Sequence, residues 1–176
     1  MIPEDVNIAE LAADLKKDAI AIGPQTTANY PQLQQDLAQV VDRAEGGDFG
    51  SVGLVYLDHT PAVTSDLRDI AQELLNSTDY ETIVVRAPAS GAVVSDVHSR
   101  AVLEIGQSDL LATNDFVAGA DALISDVTLS SVAAIDWATV TIMGAIVLIV
   151  AIAIIAAGQW GLRRKAKFLN RSSIEA

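Results

Sequence analysis

Six consecutive residues, Ser95-Asp96-Val97-His98-Ser99-Arg100, hold the densest group of side chains able to do chemistry. His98 can act as a general base near neutral pH, Asp96 can orient it, and Arg100 can hold a phosphate or a carboxylate. On that reading Asp96, His98 and Arg100 form a phosphatase-like hydrolytic cluster. The competing reading is structural: Ser95 or Asp96 caps a helix, and Arg100 lies in its solvated first turn. A second group, Asp58-His59-Thr60 with Ser65-Asp66 and Arg68 behind it, closes an apolar run. Ligands bind at strand ends in open α/β sheets. Were Asp58, Asp66 and Asp96 to converge, their hard oxygens would suit calcium or magnesium. The sequence has no Asp-x-Asp-x-Asp-Gly loop, however, and a solvated acidic loop is the competing reading. Arg86 at a strand end can serve a ligand or guard an edge strand against aggregation. The ligand-binding candidates are therefore Asp58, Asp66, Arg68, Arg86, Ser95 and Asp96, with a divalent cation as the alternative to no cofactor. No Gly-x-Ser-x-Gly elbow, phosphate-cradling Gly-Lys-Ser/Thr loop or His-Glu-x-x-His zinc helix occurs, so a non-enzymatic role is expected. Cysteine is absent, which excludes disulfides, thiol catalysis and thiolate metal sites.

Hydrophobic periodicity indicates the elements that must position these groups. Ile8, Leu11 and Leu15 predict an amphipathic helix over 3–17, followed by a short extended piece over 19–22. Gly23-Pro24 and the polar run to Asn29 read as a linker. A helix then starts near Pro31, carries Leu33, Leu37, Val40, Val41 and Ala44, and stops at Gly46-Gly47. Residues 52–57 form a buried strand, and Thr64 or Ser65 caps a helix bearing Leu67, Ile70, Ala71 and Leu74. Strands over 82–86 and 92–95 flank a turn at 88–91 as a hairpin. Helices over 97–111 and from Thr113-Asn114 complete the order. The one strand-helix-strand crossover is expected to be right-handed if its strands are parallel neighbours. This is an α/β fold, a small mixed β-sheet covered by helices.

Residues Ala138 to Ala157 carry no charge and are almost all Ala, Val, Ile, Leu or Met. At ~1.5 Å per residue the stretch would span about 30 Å, the hydrocarbon thickness of a bilayer. It predicts a transmembrane helix over 135–160 with its core at 138–157. Trp137 and Trp160 would sit at the two interfaces, with Arg163, Arg164, Lys165 and Lys167 anchoring the following end. The expected organisation is an N-terminal helix and linker over 1–29, an α/β domain over 30–134, the span, and a basic tail over 161–176. Acidic residues number 22 and basic residues 6 before Trp137, a net −16, whereas the residues after Trp160 carry +4. Such an acidic domain is repelled by nucleic acid, so no nucleic-acid partner is expected. The positive-inside rule puts the tail in the cytoplasm and the domain outside, with plasma-membrane lipid as a partner. The opening residues lack a signal peptide's basic and apolar regions, which argues for the opposite orientation.

The element order resembles the TPM domain family through Leu33 to Tyr56, Arg68-Asp69-Ile70-Ala71-Gln72-Glu73-Leu74-Leu75 and Thr82 to Ser95. Asn114-Asp115-Phe116-Val117-Ala118-Gly119 is similar to that family's Gly-Asp-Tyr segment, with Asn114 in place of the usual Gly. The whole chain also resembles a family of small actinobacterial single-pass membrane proteins, through Ile2-Pro3-Glu4-Asp5-Val6, Arg68-Asp69-Ile70-Ala71 and Val84-Val85-Arg86. Members of that family are often encoded beside NlpC/P60 peptidoglycan hydrolases. The resemblance implies a membrane-anchored binding or regulatory module at the cell envelope, with a cell-envelope protein as partner. The likeness to the TPM domain implies phosphatase-like or calcium-binding activity as alternatives.

Overall fold

Four strands line up in chain order, and the chain crosses the sheet twice before it turns back. In the computed structural model, residues 2–133, 141, 142, 145 and 146 are described. The elements are α1 (Ile8–Asp18), β1 (Ile20–Ile22), α2 (Pro24–Asn29), α3 (Leu33–Glu45), β2 (Val52–Tyr56), α4 (Asp66–Ser77), β3 (Thr82–Ala87), β4 (Ser90–Ser95), α5 (Arg100–Ala112) and α6 (Phe116–Ala133). The sheet order is β1-β2-β3-β4. The first three strands are parallel, and β4 returns antiparallel to β3 with Thr82 opposite Ser95 and Ala87 opposite Ser90.

Strand residues alternate between two cores, as the two-residue period of a pleated strand requires. Leu54, Val84 and Val93 face a core built with Leu37 and Val40 of α3, Leu103 and Leu110 of α5, and Leu123 and Val127 of α6. Val55, Ile83, Val85 and Val94 face the other core, with Leu15 of α1 and Leu67, Ile70 and Leu74 of α4. Strands buried on both faces read as continuous apolar runs, which is why 52–57 and 82–86 are legible without alternation.

The expectation of one crossover is corrected: there are two. The β1-to-β2 connection passes through α3 on one face, and the β2-to-β3 connection passes through α4 on the other. Both steps run the same way across the sheet, so the two connections have opposite hands. One of them is therefore the left-handed type, found in about 2 of 100 such units.

The single-pass span expected over 135–160 is also corrected. Among the described residues no helix is long and apolar enough to cross a membrane. The longest of them, α6, packs its Ala120, Leu123, Ile124 and Val127 into the domain core and carries Asp121 and Asp126. Of 138–157, only Thr141, Ile142, Ala145 and Ile146 are described. The rest of that stretch, with Trp137, Trp160, Arg163, Arg164, Lys165 and Lys167, lies outside the described residues. Membrane anchoring, lipid as a partner and a single-pass plasma-membrane location rested on that span and are withdrawn with it.

Helices α5 and α6 meet closely because Gly106 and Gly119 carry no side chain. A Cβ at Gly119 would lie 2.6 Å from the Leu110 carbonyl oxygen and would also strike the Arg86 guanidinium. Neither the backbone carbonyl nor the guanidinium it holds can give way cheaply. The Gly119→Ala substitution should destabilise the fold by about 1–3 kcal/mol through overpacking. Urea unfolding would show this as a lower midpoint with an unchanged slope. On the surface of the same pair, a hydrogen bond to the Asp126 carboxyl holds the Asp109 carboxyl above its ordinary range. A raised folded-state value means that stability is lost as pH rises through it. Asp109→Asn should therefore raise the unfolding midpoint at about pH 7, and the gain should vanish in acid, where the Asp109 carboxyl is protonated.

Candidate functional site

The parallel strands end together at Gly23, Asp58 and Arg86, and two of these residues are charged. Backbone bonds bring them side by side: the Gly23 amide donates to Tyr56 O at 2.8 Å and the Leu57 amide to Arg86 O at 2.8 Å. Pro24 opens α2 at a position suited to its fixed φ, but no local side chain caps that helix. Asp58, more than thirty residues away in sequence, does so instead. Its carboxylate accepts from the Gln25 amide at 3.1 Å, the Thr26 amide at 2.8 Å and Thr26 Oγ1 at 2.9 Å. Burial works to raise its pKa, but these donors outweigh it and hold the carboxyl below the usual range. The missing local cap explains why 25–29 reads as a linker in the sequence and is a helix in the fold.

Arg86 is 3% exposed and, among the described residues, has no carboxylate in hydrogen-bond contact. Its two terminal nitrogens donate to the carbonyls of Leu110 and Thr113, at the end of α5. Its guanidinium lies 5.0 Å from the centre of the Phe116 ring, a cation–π arrangement. Burial lowers its pKa, with the neighbouring Tyr56 and Asp115 opposing the shift. Burial also pushes the Tyr56 phenol above its ordinary range. The Tyr56 hydroxyl donates to Phe116 O at 3.1 Å, and the two rings meet edge to face at 5.3 Å. Phe116 in turn meets Tyr30 edge to face at 5.4 Å. Asp115 caps α6 by accepting from the amides of Val117 at 2.9 Å and Ala118 at 3.0 Å. The three rings thus run from the buried Tyr56 outward to Tyr30, which is 53% exposed.

Two clefts open at this edge, at opposite ends of α2. One lies by Gly23 and Pro24, has a volume of about 190 Å³, and is strapped by the His59 Nε2–Asp5 pair at 2.5 Å. The other lies by Asn29 and Tyr30, between the α2–α3 and α5–α6 loops, and has a volume of about 700 Å³. Small-ligand sites range over roughly 300–1,000 Å³, so the second cleft is the candidate site.

The residues expected from sequence to do chemistry are dispersed. Ser95 Oγ accepts from Thr82 Oγ1 at 2.8 Å and from the Val97 and His98 amides at 3.1 Å each, a turn-forming role ahead of α5. His98 Nε2 lies 2.8 Å from Phe49 O, and Arg100 pairs with Glu104 at 2.8 Å on the helix surface. Asp96 is exposed, with its amide donating to Glu81 O. This group sits at the opposite edge of the sheet from Asp58. Four residue steps of β3 separate the two edges, about 13 Å at ~3.3 Å per residue. Asp58 and Asp96 therefore do not converge. Asp66 and the exposed Arg68 lie in the first turn of α4. Among the described residues no group of three or more His, Asp or Glu side chains is placed to hold a metal ion. Sequence reasoning missed Tyr30, Gln32 and Asp36 altogether, and noted Asn114, Asp115 and Phe116 only as a resemblance and a helix start.

A family profile described as "Membrane protein Rv1476" matches residues 1–171, and the chain belongs to that family. This meets the expected likeness to small actinobacterial proteins at the family level. The solution structure of the N-terminal domain of the cg2496 protein from Corynebacterium glutamicum is similar in fold, with a TM-score of 0.52 at 15% identity. The match covers 74% of this chain and 87% of that one. A comparison with curated proteins finds no match.

The tertiary cap on α2 can be tested by a double-mutant cycle. Asp58→Ala should cost about 0.5–2 kcal/mol, the range for a lost helix cap. Gly23→Ala should cost a similar amount, because its Cβ would overlap the Asp58 carboxylate. Once Asp58 is alanine, adding Gly23→Ala should cost much less than it does alone, a coupling readable from urea midpoints.

Proposed function

We propose that this domain is a non-enzymatic binding module whose ligand lies in the larger cleft at the carboxyl edge of the sheet. One observation carries the reading: the cleft's aromatic floor is braced from beneath by Arg86, whose two terminal nitrogens donate to the end of α5 and whose guanidinium lies against Phe116. Loops that carry binding residues on a rigid scaffold are the usual design of such modules. The hydrolytic alternative finds less support, because the His98 ring nitrogen meets Phe49 O and Arg100 is paired with Glu104 on the helix surface. The finer likeness, to the TPM domain and to a family encoded beside NlpC/P60 hydrolases, supports a module that works beside enzymes rather than as one.

A photo-crosslinking residue such as p-benzoylphenylalanine at position 30 of the full chain tests this in the native host. Glu73, exposed on α4 on the other face of the sheet, serves as the control position. The expected result is a discrete adduct from position 30 and none from position 73. No adduct at 30, or equal adducts at both positions, would overturn the assignment of the site.

A further inference from the structure

The larger cleft combines an exposed aromatic ring with amide side chains and, among the described residues, has no cation in its lining. From this we infer that its ligand is a short neutral saccharide, an inference that rests on the cleft being the binding site. Tyr30 offers ring surface at the mouth, held in place by its edge-to-face contact with Phe116. An aromatic face carries partial negative charge, which suits the weakly positive C–H face of a pyranose ring. Around it stand Asn29, Gln32 and Asn114. Each amide offers two donors and an acceptor with two lone pairs, the complement of neighbouring hydroxyl groups that both donate and accept. Among the described residues the side chains of Asn29, Gln32, Asp36 and Asn114 make no hydrogen bond, so their capacity is available to a ligand.

Charge narrows the class further. Among the described residues the lining contains Asp36 and Asp115 but no Lys, Arg or His. A phosphorylated or carboxylated ligand would meet like charge and find no counter-ion, whereas a neutral polyol meets acceptors it can donate to. A basic peptide would find only two carboxylates, and one oxygen of Asp115 is already committed to the α6 cap. The volume of about 700 Å³ leaves room for more than one sugar ring.

Amide-resolved NMR of the full chain tests this, with triacetylchitotriose, cellotriose and maltotriose as probes, each titrated to about 10 mM to capture millimolar binding. At least one should shift the backbone amides of Tyr30, Gln32 and Asn114. Tyr30→Ala should weaken that binding at least about tenfold, while Tyr30→Phe, which keeps the ring, should retain it. Absence of shifts with all three sugars, or shifts confined to residues elsewhere, would overturn the proposal. Equal shifts with glucose 6-phosphate would overturn the neutral-ligand assignment, and so would shifts with a lysine-rich peptide in place of the sugars. A crosslink at position 30 without sugar binding would leave the site standing and remove only the ligand class. Failure of both experiments would remove the site as well.

Discussion

A guanidinium buried, among the described residues, on backbone carbonyls rather than on a carboxylate is the interaction on which this domain is arranged. Removing a charge from water costs several kcal/mol unless it is well partnered. Arg86 recovers that cost from the carbonyl end of α5, where unpaired backbone oxygens and the helix dipole favour a cation, and from the face of Phe116. The bond works in both directions, because the last carbonyls of a buried helix end need a donor as much as the cation needs acceptors. It fixes the end of α5, the turn after it and the first residues of α6 against the end of β3. Gly119 is part of the same arrangement, since any side chain there would occupy the space the guanidinium needs.

Asp58 is the counterpart of Arg86 on the neighbouring strand. It sends a carboxylate to the amino end of α2, where unpaired amides favour an anion. Two adjacent strands thus end in opposite charges, and each charge is matched to the helix end of complementary polarity. The end of α5 that Arg86 holds leads into one loop of the larger cleft, and α2, capped by Asp58 at its amino end, leads at its far end into the other. Charged residues at strand ends read in the sequence as candidates for chemistry. Here their charge goes into placing backbone, and the side chains left to meet a ligand are amides, an aromatic ring and the carboxylate of Asp36.

The parts of the fold that a local pattern encodes were legible. Leu33, Leu37, Val40, Val41 and Ala44 repeat at helical spacing and are the buried face of α3. Leu67, Ile70, Ala71 and Leu74 do the same for α4, and the hairpin of β3 and β4 follows from two apolar runs around a short turn. What escaped reading depends on partners distant in sequence. Helix α2 is too short to be stable alone and exists because Asp58 caps it. Arg86 is one basic residue at the end of an apolar run, and nothing in its neighbourhood says that a helix end more than twenty residues later supplies its acceptors. Tyr30 sits in a polar loop, where a single aromatic residue carries no periodic signal.

Topology explains why the hydrolytic cluster and the cleft are separate places. Because β4 runs antiparallel to β3, the chain that reaches the carboxyl edge at Arg86 is carried back to the amino edge by Ser95. The polar run from Ser95 to Arg100 is therefore a strand's length from Asp58, whatever its composition suggests. The two crossovers of opposite hand divide the helices in a similar way. Helices α1 and α4 cover one face, while α3, α5 and α6 cover the other. Only on the second face does the loop before α3 meet the loop before α6. Had the β1-to-β2 connection passed over the α4 face, Tyr30 would be parted from Phe116 and the cleft would have one wall. The face taken by the β1-to-β2 connection is thus what joins the two loops into a site.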